Sequence, residues 1–292
     1  MKTTTEILKK VRELEIRSKK LAKDLFTGEY HSAFKGKGMS FKEVREYAAG
    51  DDVRFIDWNV SARFGHPYSK IFEEERELTV MMMIDISNSS LFGTHYGSKR
   101  LVATEIAALL AFSAVSNGDK VGAIFYSNEV EKYIAPKKGR QQALYLVREM
   151  LSFTAQGKGT QLNVALKFFG NAIRQTSIAF ILSDFLDSNY EDALRIVGKK
   201  HDLIGIKMYD HMDMELPSVS LLQVEDAETG SVQWIDTNNA YVRKKYETGF
   251  FAATAYCTEV FKKAGSDLLH IKTGDDHVKA MQRFFRSRVK QR

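Results

Sequence analysis

The hydrophobic pattern of the chain changes character near residue 78. Before it, apolar residues recur at helical spacing between residues 5 and 26, at Ile7, Leu8, Val11, Leu14, Ile16, Leu21, Ala22 and Leu25. That spacing predicts an amphipathic helix. The next segment, GEYHSAFKGKGMSF, is punctuated by glycines. Then FKEVREYAAGDDVRFIDWNVSARFGHPYSKIFEEERELTV is dense in charges, aromatics and turn signals and has no long apolar run. Residues 1–78 are therefore expected to form an N-terminal module, and residues 79–292 a second domain.

From residue 79 onward, uninterrupted apolar runs alternate with helical patterns. TVMMMID, SIAFILSD, DLIGIKMYD and SDLLHIKT read as strands. DKVGAIFYS and EVEKYIAP read as two more, joined by a short turn around Asn128. Helices are expected over SKRLVATEIAALLAFSAVSNG (ending at Gly118), GRQQALYLVREMLSF, TQLNVALKFFGNAIRQ, NYEDALRIVGKKH, Ala240 to Ala264, and DHVKAMQRFFRSRV. LLQVEDAETGSVQWID reads as a hairpin. Strands buried on both faces and separated by helices imply an α/β fold: a doubly wound, mostly parallel sheet with helices on both faces.

Composition narrows the class. The chain has 292 residues, 44% hydrophobic and 27% charged, which is enough for a full core and close to the globular norm. Cys257 is the single cysteine, so no disulfide forms within the chain, and a small core residue is expected there. The N-terminus carries alternating charges and no signal-like apolar region. The longest apolar candidate, IAALLAFSAVSNG, falls short of the roughly 18 residues a membrane span requires. A cytoplasmic protein is expected. The net charge of +6 is concentrated in KKVRELEIRSKKLAK and RFFRSRVKQR. Solvated helix faces explain it better than nucleic-acid binding, since there is no Cys/His finger and no aromatic-basic strand pattern.

In open α/β sheets ligands bind beyond the carboxyl ends of the strands. The first apolar strand ends in D-I-S-N-S, which places Asp85, Ser87 and Ser89 there. SIAFILSD ends in Ser183 and Asp184, with Asp187 just beyond, and GKGTQLN places Thr160 at the opening of a helix. Taken singly, Asp85 reads as a turn or cap residue and Thr160 as a helix N-cap. Together they form an oxygen-only donor set suited to Mg2+, with Ca2+ or Mn2+ as alternatives.

Rival chemistries find less support. KGKG at 35–38 and GKGT at 157–160 lack the spacing of a phosphate-binding loop, and there is no G-x-S-x-G elbow. The seven histidines form no H-x-x-x-H pair, and His95 is the one that follows the first donor loop. A Mg2+-dependent hydrolase or phosphotransferase using Asp85 is the main enzymatic alternative. Such an enzyme needs a second acid two residues on, where this chain has Ser87. No catalytic residue is assigned, and a non-enzymatic module is expected. GDDVRFIDWNVSAR reads as a salt-bridged turn with Trp58 as a packing anchor, or else as a recognition surface.

The order D-x-S-x-S, then Thr, then Asp resembles the metal-ion-dependent adhesion site of von Willebrand factor A domains. Asp85, Ser87 and Ser89 match its first loop, Thr160 its second and Asp184 its third. Ser90 stands where many such domains have a small residue or Met, and it could compete as an oxygen donor. EYHSAFKGKGMSFKEVREYAAGDDVRFIDWNVSAR followed by FEEERELTV resembles the signature of the bacterial domain-of-unknown-function family 58, in which it stands directly before a von Willebrand A-like domain. The resemblance implies a metal-ion-dependent protein–protein interaction module and a MoxR-type AAA+ ATPase as partner. The open position of the ion would hold an acidic residue of that ATPase or of its client.

Overall fold

The computed structural model describes residues 9–16, 39–74, 78–94, 97–157, 159–226 and 230–291. It divides into two units, Phe34–Glu77 and the remainder, Met1–Ala33 with Leu78–Arg292. The residues expected to form one module, 1–78, are thus split. Helix α1 (residues 9–16) belongs to the larger unit, where Glu15 is buried and paired with Arg140. The rest of the helix expected over 5–26, and the glycine-punctuated segment, lie outside the described residues.

In the smaller unit β1 (Met39–Glu46) pairs antiparallel with β2 (Tyr68–Glu74). This ladder was not expected from the sequence, because its alternation is masked by charges. Between the strands, Asp57 caps α2 (Trp58–Phe64) by accepting from the amides of Asn59 and Val60. Arg45 pairs with Asp51 at 2.8 Å and Arg54 with Asp52 at 2.6 Å, so the expected salt-bridged turn is present. Trp58, however, is 71% exposed and does not anchor the turn within this unit.

The larger unit follows the expected alternation. In chain order it contains β3 (Thr79–Asp85), α3 (Lys99–Ser116), β4 (Lys120–Tyr126), β5 (Val130–Lys137), α4 (Arg140–Ser152) and α5 (Leu162–Ala172). There follow β6 (Ile178–Ser183), α6 (Glu191–Gly198), β7 (Asp202–Tyr209) and the short α7 (His211–Met214). The hairpin β8 (Leu221–Glu225) and β9 (Val232–Asp236), then α8 (Ala240–Lys263), β10 (Asp267–Lys272) and α9 (His277–Gln291) complete it.

Six strands form one sheet in the order β10-β7-β6-β3-β4-β5, all parallel except the β4–β5 pair. Side chains of β3 alternate between the two faces. Met81 and Met83 pack with Leu166 and Phe169 of α5, Leu194 of α6 and Phe261 of α8. On the other face Phe180 meets Phe285 of α9 edge-on at 6.3 Å, and Phe125 meets Phe153 beyond α4 at 5.6 Å. Every residue of β6 is buried, and each large apolar side chain so buried contributes about 1.5–3 kcal/mol. Gly205 lets α8 close onto β7, since a Cβ there would sit 2.6 Å from the Phe261 ring. Cys257 is fully buried, as expected of a small core residue.

The chain leaves β3 toward β4 on one side and returns to β6 on the other. The crevice between the carboxyl ends of β3 and β6 is therefore the topological switch point of the sheet, where ligands bind in such folds. This is the expected doubly wound, mostly parallel α/β arrangement. Among the described residues, no helix is long and apolar enough to cross a membrane.

Candidate functional site

Asp85, the last residue of β3, is carried into this crevice and is almost fully buried. Its Oδ1 accepts from the Ser87 hydroxyl at 2.6 Å and from the Ser87 amide at 3.0 Å. Its Oδ2 accepts from the hydroxyl of Ser183, the end of β6, at 2.7 Å. The loop then turns through a single 3-10 turn, Asn88–Leu91, which brings the Ser87 and Ser89 hydroxyls within 3.1 Å. The Ser90 hydroxyl is buried and donates to the Ser87 carbonyl at 2.7 Å.

Asp184 is also buried, one residue past β6. Its Oδ2 accepts from Lys99 Nζ at 2.9 Å, and Lys99 also pairs with Asp213 at 3.2 Å. The neighbouring Lys207 ammonium donates to the Asp184 carbonyl. Burial alone would raise the Asp184 carboxyl, but the Lys99 ammonium overrides it, with Ser89 adding to the effect, and holds it below the usual carboxylate range. Burial, and then the charge of Asp184, push the Asp85 carboxyl up to about 6. Lys99 is itself 2% exposed; burial opposes its charge, and Asp184 and Asp213 outweigh that cost, so it stays an ammonium.

Asp85, Ser87, Ser89 and Asp184 are thus drawn into one cluster. Thr160 lies at the same edge but outside their hydrogen-bond network, half-buried in the loop before α5. It does not open the helix as expected. α5 begins at Leu162, whose amide is capped by the Asp187 carboxylate at 2.8 Å, across from the loop after β6. The Thr160 loop is fixed by its neighbours. The Gln161 amide donates to the Ser127 carbonyl at 2.8 Å, and Glu131 accepts from the amides of Gln156 and Gly157. Gly157 runs so close to Ser127 and Asn128 that no side chain fits there.

Sequence reading did not single out Lys99, Lys207, Asp213 or Glu131. Lys99 carried a weak signal, since it opens a largely apolar helix that follows the donor loop in sequence. Glu131 and Asp213 carried none, because their roles depend on contacts 26 and 114 positions away. His95 lies outside the described residues.

The donor set fits a hard divalent ion in its chemistry: two buried carboxylates flanked by hydroxyls, with no soft ligand. Among the described residues no three His, Cys, Asp or Glu side chains converge, so serine and threonine hydroxyls must complete any such site.

Similarity to known proteins bears on family and fold. The uncharacterized protein Rv1480 of Mycobacterium tuberculosis (strain ATCC 25618 / H37Rv) is 30% identical over 281 residues, covering 95% of this chain and 88% of its own. The aerotolerance-related membrane protein of Bacteroides fragilis NCTC 9343 superposes with a TM-score of 0.53 at 15% identity, covering 74% of this chain and all of that one. BatB of Bacteroides thetaiotaomicron gives a TM-score of 0.50, also at 15% identity and over the same shares of the two chains. At that identity the two structures speak to the fold alone. Residues 43–255 match the model of the family described as protein of unknown function DUF58, and the chain belongs to that family.

Proposed function

We propose that this protein is a non-enzymatic, metal-ion-dependent protein–protein interaction module. The observation that carries the reading is the pair of buried carboxylates, Asp85 and Asp184, gathered with the Ser87 and Ser89 hydroxyls at the switch point of the sheet. Asp85, Ser87 and Ser89 would hold a Mg2+ ion, with Thr160 approaching from the second loop and Asp184 from the third. A bound ion would supply an electrophilic coordination position for a carboxylate of a partner protein. Lys99 keeps Asp184 ionised and fixed in place, and Ser183 orients Asp85. The family resemblance points to a MoxR-type AAA+ ATPase or its client as the partner, with the chain serving as adaptor in complex assembly or maturation from the cytoplasm.

A thermal melt with and without Mg2+ tests the site. Wild type should gain melting temperature with the ion, and Asp85→Ala should gain none. Identical responses to Mg2+ and chelator would refute the assignment. Mg2+-dependent turnover of generic phosphate esters that Asp85→Asn abolishes would instead favour the hydrolase reading.

A further inference from the structure

Beside the carboxylate cluster lies a cavity of about 420 Å3, bounded by the chain after Asp184, by α7 and its exit, by β9 and by α8. Its walls are apolar: Leu186, Leu216, Ile235, Val242 and Phe250. Two charged groups break this lining. Asp213 is already committed to Lys99, which ties the cavity wall directly to Asp184. Lys245 is exposed on the rim and has no ion-pair partner among the described residues. The apolar character also spreads to the rim of the cluster itself, where Leu91, Phe92 and Leu186 are all exposed.

We infer that this cavity receives a bulky apolar side chain of the same partner segment whose acidic residue engages the carboxylate cluster. The inference deepens the proposed ion-dependent docking and rests on it for the acidic residue. The recognised chemistry is an acidic peptide with Leu, Ile, Met or Phe within a few residues of its Asp or Glu. Charge complementarity argues for that occupant: an unpaired ammonium at the edge of an apolar cavity attracts the acidic flank, and the walls exclude water from the apolar anchor. A cavity of this size belongs to the class that buries a compact ligand group with a few polar contacts to fix its orientation. Shared use of Asp213 and Leu186 by cavity and cluster keeps the two subsites within reach of one short extended segment.

Gly249 offers a clean test. It lies in α8 on the cavity wall, its backbone is helical, and a Cβ there meets nothing within 4 Å. Gly249→Leu therefore fills the cavity while improving helix propensity. A displayed heptapeptide library with a fixed central aspartate is selected on the full chain in Mg2+, and the enriched peptides are measured by fluorescence polarisation. Bulky apolar residues should be enriched beside the aspartate, and Gly249→Leu should weaken binding at least tenfold while leaving the Mg2+-dependent gain in melting temperature intact. No enrichment, or enriched peptides that bind Gly249→Leu as tightly as wild type, overturns the inference even where the Mg2+ response holds. Peptides lost on Gly249→Leu but bound equally with Mg2+ or chelator would uphold the apolar cavity and overturn the ion-dependent reading instead.

Discussion

Lys99 Nζ stands 2.9 Å from Asp184 Oδ2 with both side chains buried, joining the first turn of α3 to the end of β6. A buried pair of this kind stabilises little relative to an apolar one, yet losing one member strands the other's charge in the interior. Lys99→Met leaves both Asp184 and Asp213 without their cation. It should cost about 3–5 kcal/mol in urea unfolding. Lys99→Met with Asp184→Asn should recover part of that loss, and additive costs would show that the pair does not act as a unit.

Asp85 carries a cost of the opposite kind. At neutral pH its carboxylate is ionised, buried and close to a second carboxylate, which is why its carboxyl is pushed up to about 6. Asp85→Asn keeps the shape, and the serine hydroxyls around it can reverse donor and acceptor roles. In chelator at pH 8 the variant should be more stable than wild type by about 1–3 kcal/mol, and it should show no gain with Mg2+. A variant less stable in chelator would mean that the carboxylate is an ordinary structural anchor.

His201 provides a pH signature away from the site. Its Nδ1 lies 2.9 Å from the Ser177 hydroxyl, its ring packs tilted at 54° against Phe169 with centroids 4.6 Å apart, and its Nε2 is buried with no hydrogen-bond partner among the described residues. Burial, aided by Lys200, pushes its pKa down to about 4 from 6.5. The folded state thus resists a proton that the unfolded chain accepts. Its contribution is fully present above pH 6.5 and drains away as pH falls toward 4. Urea midpoints of wild type should fall over that window, and those of His201→Leu should fall less. Parallel pH profiles would remove His201 from the account.

Much of this was legible because the buried strands spell themselves out. TVMMMID, SIAFILSD and DLIGIKMYD are largely apolar runs that each end in an acid, and Asp85 and Asp184 sit where a parallel sheet presents ligands. The β1–β2 ladder was not legible, because the charges in MSFKEVRE and YSKIFEE erase the period-two pattern in the sequence. Thr160 was expected to open a helix, but that helix starts at Leu162, whose amide is met by Asp187 from 25 residues away. The pairing of Lys99 with Asp184 was not legible for the same reason, since the two lie 85 residues apart in sequence.

Glu131 shows how such distant contacts shape the proposed site without belonging to it. Burial works against its charge, but the Gly157 amide, the Ser127 hydroxyl and the Gln156 amide outweigh that and hold its carboxyl below the usual range. Those bonds clamp the loop that carries Thr160. Glu131→Ala leaves the two amides without an acceptor, so it should cost about 1–3 kcal/mol and weaken Mg2+ binding several-fold through loss of loop order. Thr160→Val separates the two effects. The Thr160 hydroxyl takes no part in the Asp85 network, so its removal should leave stability in chelator unchanged within about 0.5 kcal/mol while still lowering the Mg2+-dependent gain in melting temperature. If Thr160→Val responds to Mg2+ as wild type does, the second loop contributes no ligand, and the site consists of the first and third loops alone.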